Sequence, residues 1–390
     1  MKFRVERDAL ADAVTWAARS LASRPTLPVL AGLLLKVTSV DGGEQLSVSG
    51  FDLEASTEVD LEVSAGSPGQ ALVSGRLLAD ITRSLPPHPV DVTLDGSRLS
   101  ISCGSARFTL PGMPVDDYPQ LPAMPTTAGT VEGPAFAAAV AQVAVAAGRD
   151  DTLPMLTGVR LEIDGDTLTL AATDRYRLAV RELHWSPGDP SASPVAVLVP
   201  ARTLADAAKS LAHSEALTIA LSGAGAGAGE GIIGFSGTTG GRASRATTRL
   251  LDATFPAYRS LLPSEWASNA EVAVGPLVEA VRRVALVTDR NAPVRMEFAD
   301  GTVSLTAGGD DEGRAEEQLE VAYDGEPITT AFNPQFLLDG LGALATGTAR
   351  MLFTSSTKPV VLRPVEGGSG SGDAEVSDYT YLIMPVRLPG

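Results

Sequence analysis

The chain has 390 residues and a formal net charge of −17, which excludes a protein that grips nucleic acid or anionic lipid over its whole surface. Apolar residues make up 44% of the chain, yet none of its runs reaches the roughly 18 uninterrupted apolar residues that a membrane span requires. The first residues also lack an apolar signal core, so we expect a cytoplasmic protein without membrane contact.

Two or three domains fit this length. The single cysteine, Cys103, excludes an internal disulfide, and its alternating strand pattern predicts a buried side chain.

The first third of the chain predicts the order helix, strands, helix, strands. Leu10, Val14, Ala17 and Leu21 recur at helical spacing and predict an amphipathic helix. Alternating apolar residues predict strands at 33–37, 45–49, 55–63, 90–94 and 98–102.

A proline-rich stretch, 118–125, then predicts an extended linker. Beyond it, Gly133-Pro134 and Gly275-Pro276 each open an apolar helical pattern, which predicts proline at the first helical position. Two strand pairs of matching pattern follow, at 165–171 and 301–307.

One helix motif occurs three times, each time after a short apolar strand. It runs Val73-Ser-Gly-Arg-Leu-Leu-Ala-Asp80, Val199-Pro-Ala-Arg-Thr-Leu-Ala-Asp206 and Phe332-Asn-Pro-Gln-Phe-Leu-Leu-Asp339. The copies recur at the period of a whole domain, which predicts one fold used three times. We therefore predict an α+β protein of three similar domains, each with two helices and antiparallel strands, at 1–120, 129–252 and 255–390.

Two glycine-rich segments, 222–230 and 366–373, lie between predicted strands. Neither has the Gly-Lys-Ser/Thr ending of a phosphate-binding loop or opens onto a helix, so both are interpreted as hairpin loops.

No catalytic constellation is found in the sequence. The three histidines, His88, His184 and His213, stand far apart without a partner at triad or metal-ligand spacing. Paired acids occur at Asp116-Asp117, Asp150-Asp151 and 310–312, beside turn residues that favour solvated loops. We expect neither an enzyme nor a metal or cofactor, although a β-rich hydrolase using Asp116 or Asp310 is an alternative, as is a ring-shaped or monomeric protein scaffold.

Two of the three motif helices carry a basic stripe. Arg76, Asp80 and Arg83 stand at i, i+4 and i+7, and Arg202, Asp206 and Lys209 repeat the spacing. The third copy has Gln335, Asp339 and Gly342 there. A solvated helix face with local ion pairs is one interpretation. Repetition in an acidic protein favours the other, a local surface for phosphates.

Four further motifs resemble those of a known family. They are Arg24-Pro-Thr-Leu-Pro-Val-Leu, Ala172-Thr-Asp-Arg-Tyr-Arg-Leu-Ala-Val, Phe255-Pro-Ala-Tyr-Arg and Tyr381-Leu-Ile-Met-Pro-Val-Arg-Leu. In this order they resemble the bacterial sliding clamps, the beta subunits of DNA polymerase III, and the actinobacterial members in particular. The resemblance implies the DNA clamp fold and a head-to-tail homodimeric ring that encircles double-stranded DNA independently of its sequence. It also implies a non-catalytic processivity factor.

The resemblance places Arg24 and Arg76 where the family touches DNA, and the basic stripes add Arg83, Arg202 and Lys209. The sequence departs from the family pattern just before Leu156, where Asp150, Pro154 and Met155 stand. A DNA contact by this segment stays open.

The family also implies a cleft between the second and third domains for short extended peptides. Its partners are the replicative polymerase alpha subunit, the clamp loader, and repair and translesion polymerases. Matching positions are Leu156, Thr173, Arg175, Tyr176, Arg177, Leu178, Pro256, Leu261, Asn333, Phe336, Val360, Met384, Pro385, Val386 and Arg387. Methionine and aliphatic groups make an adaptable apolar pocket, although each residue alone also fits a core position.

For the ring seam, the candidates are Phe108 and Leu110 against the partner subunit's Leu286. Core positions in a strand or helix are the alternative for all three.

Overall fold

The computed structural model describes residues 1–22, 24–40, 43–222, 231–287, 292–309, 313–365 and 378–387. Residues 223–230 and 366–373 of the two glycine-rich segments, and the acidic cluster 310–312, lie outside the described residues.

The helices and strands follow the predicted order, except that a short strand precedes the first helix and that the second repeat has a third, four-residue helix beside the two predicted. The helices are α1 (Arg7–Ala17), α2 (Gly75–Ser84), α3 (Gly133–Ala144), α4 (Pro154–Thr157), α5 (Ala201–Ser210), α6 (Val274–Val284) and α7 (Pro334–Ala343). The strands of the first repeat are β1 (Lys2–Val5), β2 (Gly32–Val40), β3 (Gly43–Phe51), β4 (Ala55–Ser67), β5 (Gly69–Ser74), β6 (Val90–Asp95), β7 (Arg98–Cys103) and β8 (Ala106–Met113). The second repeat has β9 (Thr126–Val131), β10 (Gly158–Asp164), β11 (Thr167–Thr173), β12 (Arg177–His184), β13 (Ser186–Pro187), β14 (Val195–Pro200), β15 (Leu217–Leu221), β16 (Ile232–Thr239) and β17 (Arg242–Arg249). The third has β18 (Ser268–Ala273), β19 (Val294–Ala299), β20 (Thr302–Gly308), β21 (Arg314–Glu320), β22 (Ala322–Asp324), β23 (Ile328–Phe332), β24 (Thr348–Phe353), β25 (Val360–Val365) and β26 (Tyr379–Ile383).

The chain forms two compact units that divide the second repeat between them. The first comprises 1–137, 185–193 and 202–251, and the second comprises 138–184, 194–201 and 252–390. In the first unit, an antiparallel sheet runs β1-β6-β7-β8-β5-β2-β3-β4-β17-β16-β15-β9-β13. In the second, one sheet runs β14-β10-β11-β12-β26-β25-β24-β18-β22 and another runs β21-β20-β19-β23.

Strand pairing joins successive repeats within each unit. β4 of the first repeat pairs with β17 of the second, and β12 of the second pairs with β26 of the third, both antiparallel. Backbone hydrogen bonds between edge strands therefore join each repeat to the next within a unit. We call these pairings the first and second junctions.

The predicted helix at the start of the chain is confirmed, with one correction. Leu10, Val14 and Ala17 are buried, but Leu21 is half-buried because α1 ends at Ala17 and a 3-10 turn follows. The motif helices α2, α5 and α7 bury the same position of the apolar stripe, occupied by Leu78, Leu204 and Leu337.

The helices α3 and α6 begin earlier than their prolines predicted. Pro134 is the second residue of α3 and Pro276 the third of α6, so the first helical position was the wrong assignment. The amide groups of the whole first turn lack an intrahelical acceptor, and proline is therefore tolerated throughout that turn.

The predicted linker has no helix or strand from 118 to 125. Its first residue, Tyr118, is nonetheless buried in a cluster with Val29, Leu30, Phe51 and Leu72. Burial raises the pKa of the Tyr118 phenol to about 12. Cys103 is buried, as predicted, with its sulfur 3.2 Å from the carbonyl oxygens of Pro86 and His88.

Two glycines of α7 give a matched test of packing. A Cβ atom on Gly340 would stand 2.4 Å from Cε1 of the buried Tyr381 ring, whereas one on Gly342 meets nothing within 4 Å. We expect Gly340→Ala to lower the free energy of unfolding by about 1–3 kcal/mol through overpacking. Gly342→Ala should raise it by up to about 1 kcal/mol through helix propensity. Urea unfolding of both variants measures the difference, and equal effects would contradict this packing.

Candidate functional site

The C-terminal segment after β26 lies against two other parts of the second unit. The Met384 amide donates a hydrogen bond of 2.8 Å to the Tyr176 carbonyl, and the Val386 amide donates one of 2.8 Å to the carbonyl of Ala331. Backbone hydrogen bonds thus bring the hairpin before β12, the end of β23 and the C-terminal segment side by side.

The hairpin between β11 and β12 is shaped by Asp174. Its carboxylate accepts hydrogen bonds from the amides of Tyr176 and Arg177, each 3.0 Å long. Arg175 has a left-handed φ of 80°, which a non-glycine residue adopts at a cost in strain. Held in this way, the Tyr176 ring is 54% exposed and stacks on Phe336 with the ring centres 6.1 Å apart.

Arg177 is the buried charge beneath these rings. It is 6% exposed and donates hydrogen bonds to Asp174 (2.9 Å) and Asp339 (2.5 Å), with its guanidinium carbon 4.5 Å from the Phe336 ring centre. Burial lowers the pKa of Arg177, but Tyr381, Asp339 and Asp174 outweigh it and hold the pKa above its ordinary value. Arg177 therefore stays charged and supports the aromatic pair.

The remaining predicted cleft residues fall into three classes of exposure. Buried are Leu156, Thr173, Leu178 and Val360, whose positions fit the core alternative. Half-buried are Pro256, Asn333, Phe336 and Pro385. Exposed are Arg175, Tyr176, Leu261, Met384, Val386 and Arg387.

Two polar residues of the predicted set have local structural contacts. Asn333 caps α7, because its side-chain oxygen accepts hydrogen bonds from the amides of Gln335 (2.9 Å) and Phe336 (3.3 Å). The Thr173 hydroxyl donates to the Arg177 carbonyl at 2.6 Å and so closes the hairpin.

Leu261 stands at the end of a 3-10 turn that Glu162 anchors. The Glu162 carboxylate accepts hydrogen bonds from Arg160 (2.6 Å), Arg259 (2.5 Å) and the Tyr258 hydroxyl (3.2 Å). Burial raises the pKa of this carboxyl, but the two arginines outweigh burial and hold the pKa below its ordinary value of 4.5. The sequence analysis missed Glu162; its spacing from Arg160, i to i+2 on one face of a strand, was the available signal.

The aspartate of each motif helix has a different arginine partner. Asp80 pairs with Arg83 of its own helix, Asp206 lies 3.5 Å from Arg19, and Asp339 is held by Arg177. Of the basic-stripe residues, only Arg83 therefore forms the local ion pair that the solvated-face interpretation predicts. Arg24, Arg76, Arg202 and Lys209 are exposed and form no ion pair within the described residues.

The three seam candidates differ in exposure. Leu286 is 82% exposed, on a 3-10 turn that follows α6. Phe108 is half-buried, and Leu110 is 1% exposed because it faces the core of its own sheet. The Leu110 side chain is therefore unavailable to a partner, and its core alternative fits the structure.

The residues weighed for catalysis are scattered over exposed positions. His88, His184, His213, Asp116, Asp117, Asp150 and Asp151 are all exposed. The Asp150 carboxylate accepts hydrogen bonds from the amide and hydroxyl of Thr152, which hold its pKa below the ordinary range. In the part of the chain that the structure describes, no helix has the length and apolar character to cross a membrane.

Comparison with known proteins explains the triple repeat. Three family models match the chain: the N-terminal domain of the DNA polymerase III beta subunit over residues 1–122, the central domain over 130–257 and the C-terminal domain over 259–387. The chain belongs to the family of bacterial beta sliding clamps. A beta sliding clamp of Streptomyces coelicolor is 55% identical over the full length of both chains. One from Micrococcus luteus is 51% identical over 82% of this chain and 98% of its own.

Solved structures of clamps have the same fold. The DNA polymerase III beta subunit of Pseudomonas aeruginosa superposes with a TM-score of 0.84 at 28% identity, and that of Thermotoga maritima with 0.86 at 25%, both over the whole of each chain. A P. aeruginosa clamp bound to griselimycin superposes with 0.85 at 28% identity, again over both full chains. Beta sliding clamps are accessory subunits of DNA polymerase and not catalysts, and this chain is an actinobacterial member.

The Glu162 anchor predicts a pH-dependent contribution to stability. A carboxyl whose pKa is depressed by folding stabilises the protein above its unfolded pKa, and this contribution is lost as pH falls through the folded pKa. We expect Glu162→Gln to lower the free energy of unfolding at pH 7 by about 1–3 kcal/mol. The gap from the wild type should narrow as pH falls below 4.5. Urea titrations across that range measure it, and Asp164→Asn, an exposed position on the same strand, is the control.

Proposed function

We propose that this protein is the processivity factor of a replicative DNA polymerase. In this proposal two copies close head to tail into a ring around duplex DNA and tether partners through peptides bound at the C-terminal cleft. One observation supports the proposal most. The corresponding strands at the two junctions pair with each other, whereas β8, along Ala106–Pro111, and β21 each leave one edge without a partner among the described strands.

The three repeats contain three equivalent pairs of junction strands. The first is β4 with β17 and the second is β12 with β26. The third pair would be β21 of the last repeat with β8 of the first. Among the described strands, β21 pairs with β20 alone, and β8 pairs with β7 along Ala106–Pro111 and with β5 at Gly112 and Met113.

A second copy of the chain completes the third junction. Unpaired strand edges favour partners, and a head-to-tail copy supplies β8 to β21 and β21 to β8. Two such contacts close a dimer, which supports the ring.

Strand registers predict which residues meet at the seam. Across the sheets, Glu58 corresponds to Glu316 and Arg245 to Arg107. At the first junction Arg245 stands opposite Glu58 and forms ion pairs with Glu58 and Asp60. We therefore infer that Arg107 meets the partner subunit's Glu316. The edge strand β21 carries three glutamates, Glu316, Glu317 and Glu320, and one arginine, Arg314.

The same correspondence supports the apolar part of the seam. Leu286 corresponds to Arg19, Phe108 to Ala246 and Leu77 to Thr203. At the first junction, Arg19, Ala246 and Thr203 lie together around one cavity. Leu77 is 46% exposed, and the sequence analysis had not singled it out for this surface. Phe108 and Leu77 would pack on the partner subunit's Leu286, while Leu110 supports Phe108 from the core.

In this ring the basic positions face DNA. Arg24, Arg76, Arg83, Arg202 and Lys209 would attract phosphates on an otherwise acidic molecule, and encirclement allows each contact to be weak. The domains would be 1–120, 129–252 and 255–390, in the cytoplasm.

For the cleft, the exposed Tyr176, Leu261, Met384 and Val386 are large apolar side chains left open to solvent, which favours an apolar peptide as occupant. Its sources would be the polymerase alpha subunit, the clamp loader, and repair and translesion polymerases.

The ring predicts retention by topology. Protein loaded by its clamp loader onto nicked circular DNA should stay bound at high salt and dissociate once the circle is cut, because encirclement does not depend on counterions. Gel filtration of labelled protein before and after linearisation measures retention. Equal release from both forms would exclude encirclement.

The seam predicts a charge exchange. Arg107→Glu and Glu316→Arg should each weaken the dimer by about tenfold or more, and the two changes together should restore it. Sedimentation equilibrium measures the dissociation constants. Arg4→Glu, an exposed change on β1, is the control, and failure of the double variant to recover would contradict the inferred register.

The cleft predicts a selective loss of peptide binding. Leu261→Asp should weaken binding of a fluorescent clamp-binding peptide from the replicative polymerase by about tenfold or more, because a charge replaces an apolar contact. Fluorescence anisotropy measures the affinity. Leu27→Asp is the matched control, since Leu27 is similarly exposed at 47% but lies in the other unit. Equal losses in both variants would exclude the cleft.

A further inference from the structure

The first unit contains a cavity at the first junction. At the second junction, side chains occupy the equivalent position. It measures about 290 Å³ and lies between the end of α1, the hairpin joining β3 to β4, and the first turns of α2 and α5. Its charged lining residues are Arg19, Arg76, Arg202, Asp52 and Asp206.

The two junctions are built on the same backbone frame. Asp52 accepts hydrogen bonds from the amides of Glu54 (2.9 Å) and Ala55 (2.7 Å), as Asp174 does from the corresponding pair. The next residue has the same left-handed φ, 81° at Leu53 and 80° at Arg175. Ala55 therefore occupies the position of Arg177.

The cavity exists because three positions that hold large side chains at the second junction hold small ones at the first. At the second junction, Arg177 lies over Phe336, and the Tyr381 hydroxyl donates to the Phe336 carbonyl at 2.8 Å. The corresponding residues at the first junction are Ala55, Thr203 and Ala246, all of which line the cavity. The volume filled by a guanidinium and two rings in one unit is open in the other.

The charges around this volume favour an anion. Arg19 lies 3.5 Å from Asp206, and the Asp52 carboxylate is engaged by two backbone amides. Arg76 donates to the Ala22 carbonyl at 3.3 Å, and neither it nor Arg202 has a carboxylate partner among the described residues. Two guanidinium groups therefore remain available at one cavity.

The remaining lining suits a tetrahedral oxyanion. Arg202 and Thr203 belong to the first turn of the ten-residue α5, where backbone amides lack intrahelical acceptors and the helix dipole favours negative charge. Guanidinium groups bind phosphate through paired hydrogen bonds, and the Thr203 hydroxyl adds a donor.

We propose that this cavity binds a phosphate group. The source is either the backbone of encircled DNA or free phosphate, and the DNA source rests on the function proposed above. The second junction cannot do the same because Arg177, Phe336 and Tyr381 fill the equivalent volume.

Phosphorus NMR of inorganic phosphate, titrated with the full-length protein, tests the site. The wild type should broaden the resonance saturably. Thr203→Phe installs the side chain of the corresponding Phe336 and fills the cavity while all three arginines remain, and it should weaken binding by about tenfold or more. Arg202→Gln, at an exposed position with no ion pair among the described residues, should do the same. Arg98→Gln, an exposed change on β7 outside the cavity lining, is the control and should change binding less than twofold.

Competition with a short duplex identifies the source. Displacement of phosphate by the duplex assigns the site to the DNA backbone, and a lack of displacement assigns it to free phosphate. Absence of saturable binding, or binding that survives both Thr203→Phe and Arg202→Gln, would overturn the proposal. Retention on nicked circles is measured separately, so loss of phosphate binding with normal retention refutes the cavity alone.

Discussion

The structure depends on the need of strand edges for hydrogen-bonding partners. At each junction an edge strand of one repeat pairs antiparallel with the last strand of the next, as Glu58 faces Arg245 and Val180 faces Thr380. Because backbone groups form these hydrogen bonds, the first and second junctions share the same strand pairing although different side chains stand there. β21 and β8 correspond to the strands of these junctions, but β21, and β8 along Ala106–Pro111, each have one edge without a partner among the described strands. The proposed dimer follows from these unpaired edges.

The side chains at the two junctions differ in size, so one junction is filled and the other contains a cavity. In the second unit Arg177 fills the junction, neutralises two aspartates and supports Phe336, on which the exposed Tyr176 stacks. In the first unit alanine stands at that position, beside a cavity whose lining includes three arginines. The same backbone arrangement thus supports an exposed aromatic ring at the second junction and a cavity lined by three arginines at the first.

The periodic features were predictable because local physics decides them. Apolar spacing located α1 and the three motif helices, and the alternation of residues located the strands that flank them. The helix starts at α3 and α6 were displaced by one or two residues, because proline is tolerated throughout the first turn. Within the candidate cleft, the sequence did not separate the buried Leu178 and Val360 from the exposed Leu261 and Met384. All four are apolar, and only packing decides which of them faces solvent.

By itself, the sequence determined the triple repeat, the α+β class, the basic stripes on two helices and the family to which the chain belongs, since each is written in local spacing and motif. Tertiary structure alone decided that Asp206 and Asp339 pair with arginines outside their own helices, that Glu162 anchors the turn before Leu261 through Arg259, and that a cavity opens beside Arg202. These contacts join residues far apart in the chain. Their formation depends on strand register and on the volume of neighbouring side chains, neither of which has a signal within a local window of sequence.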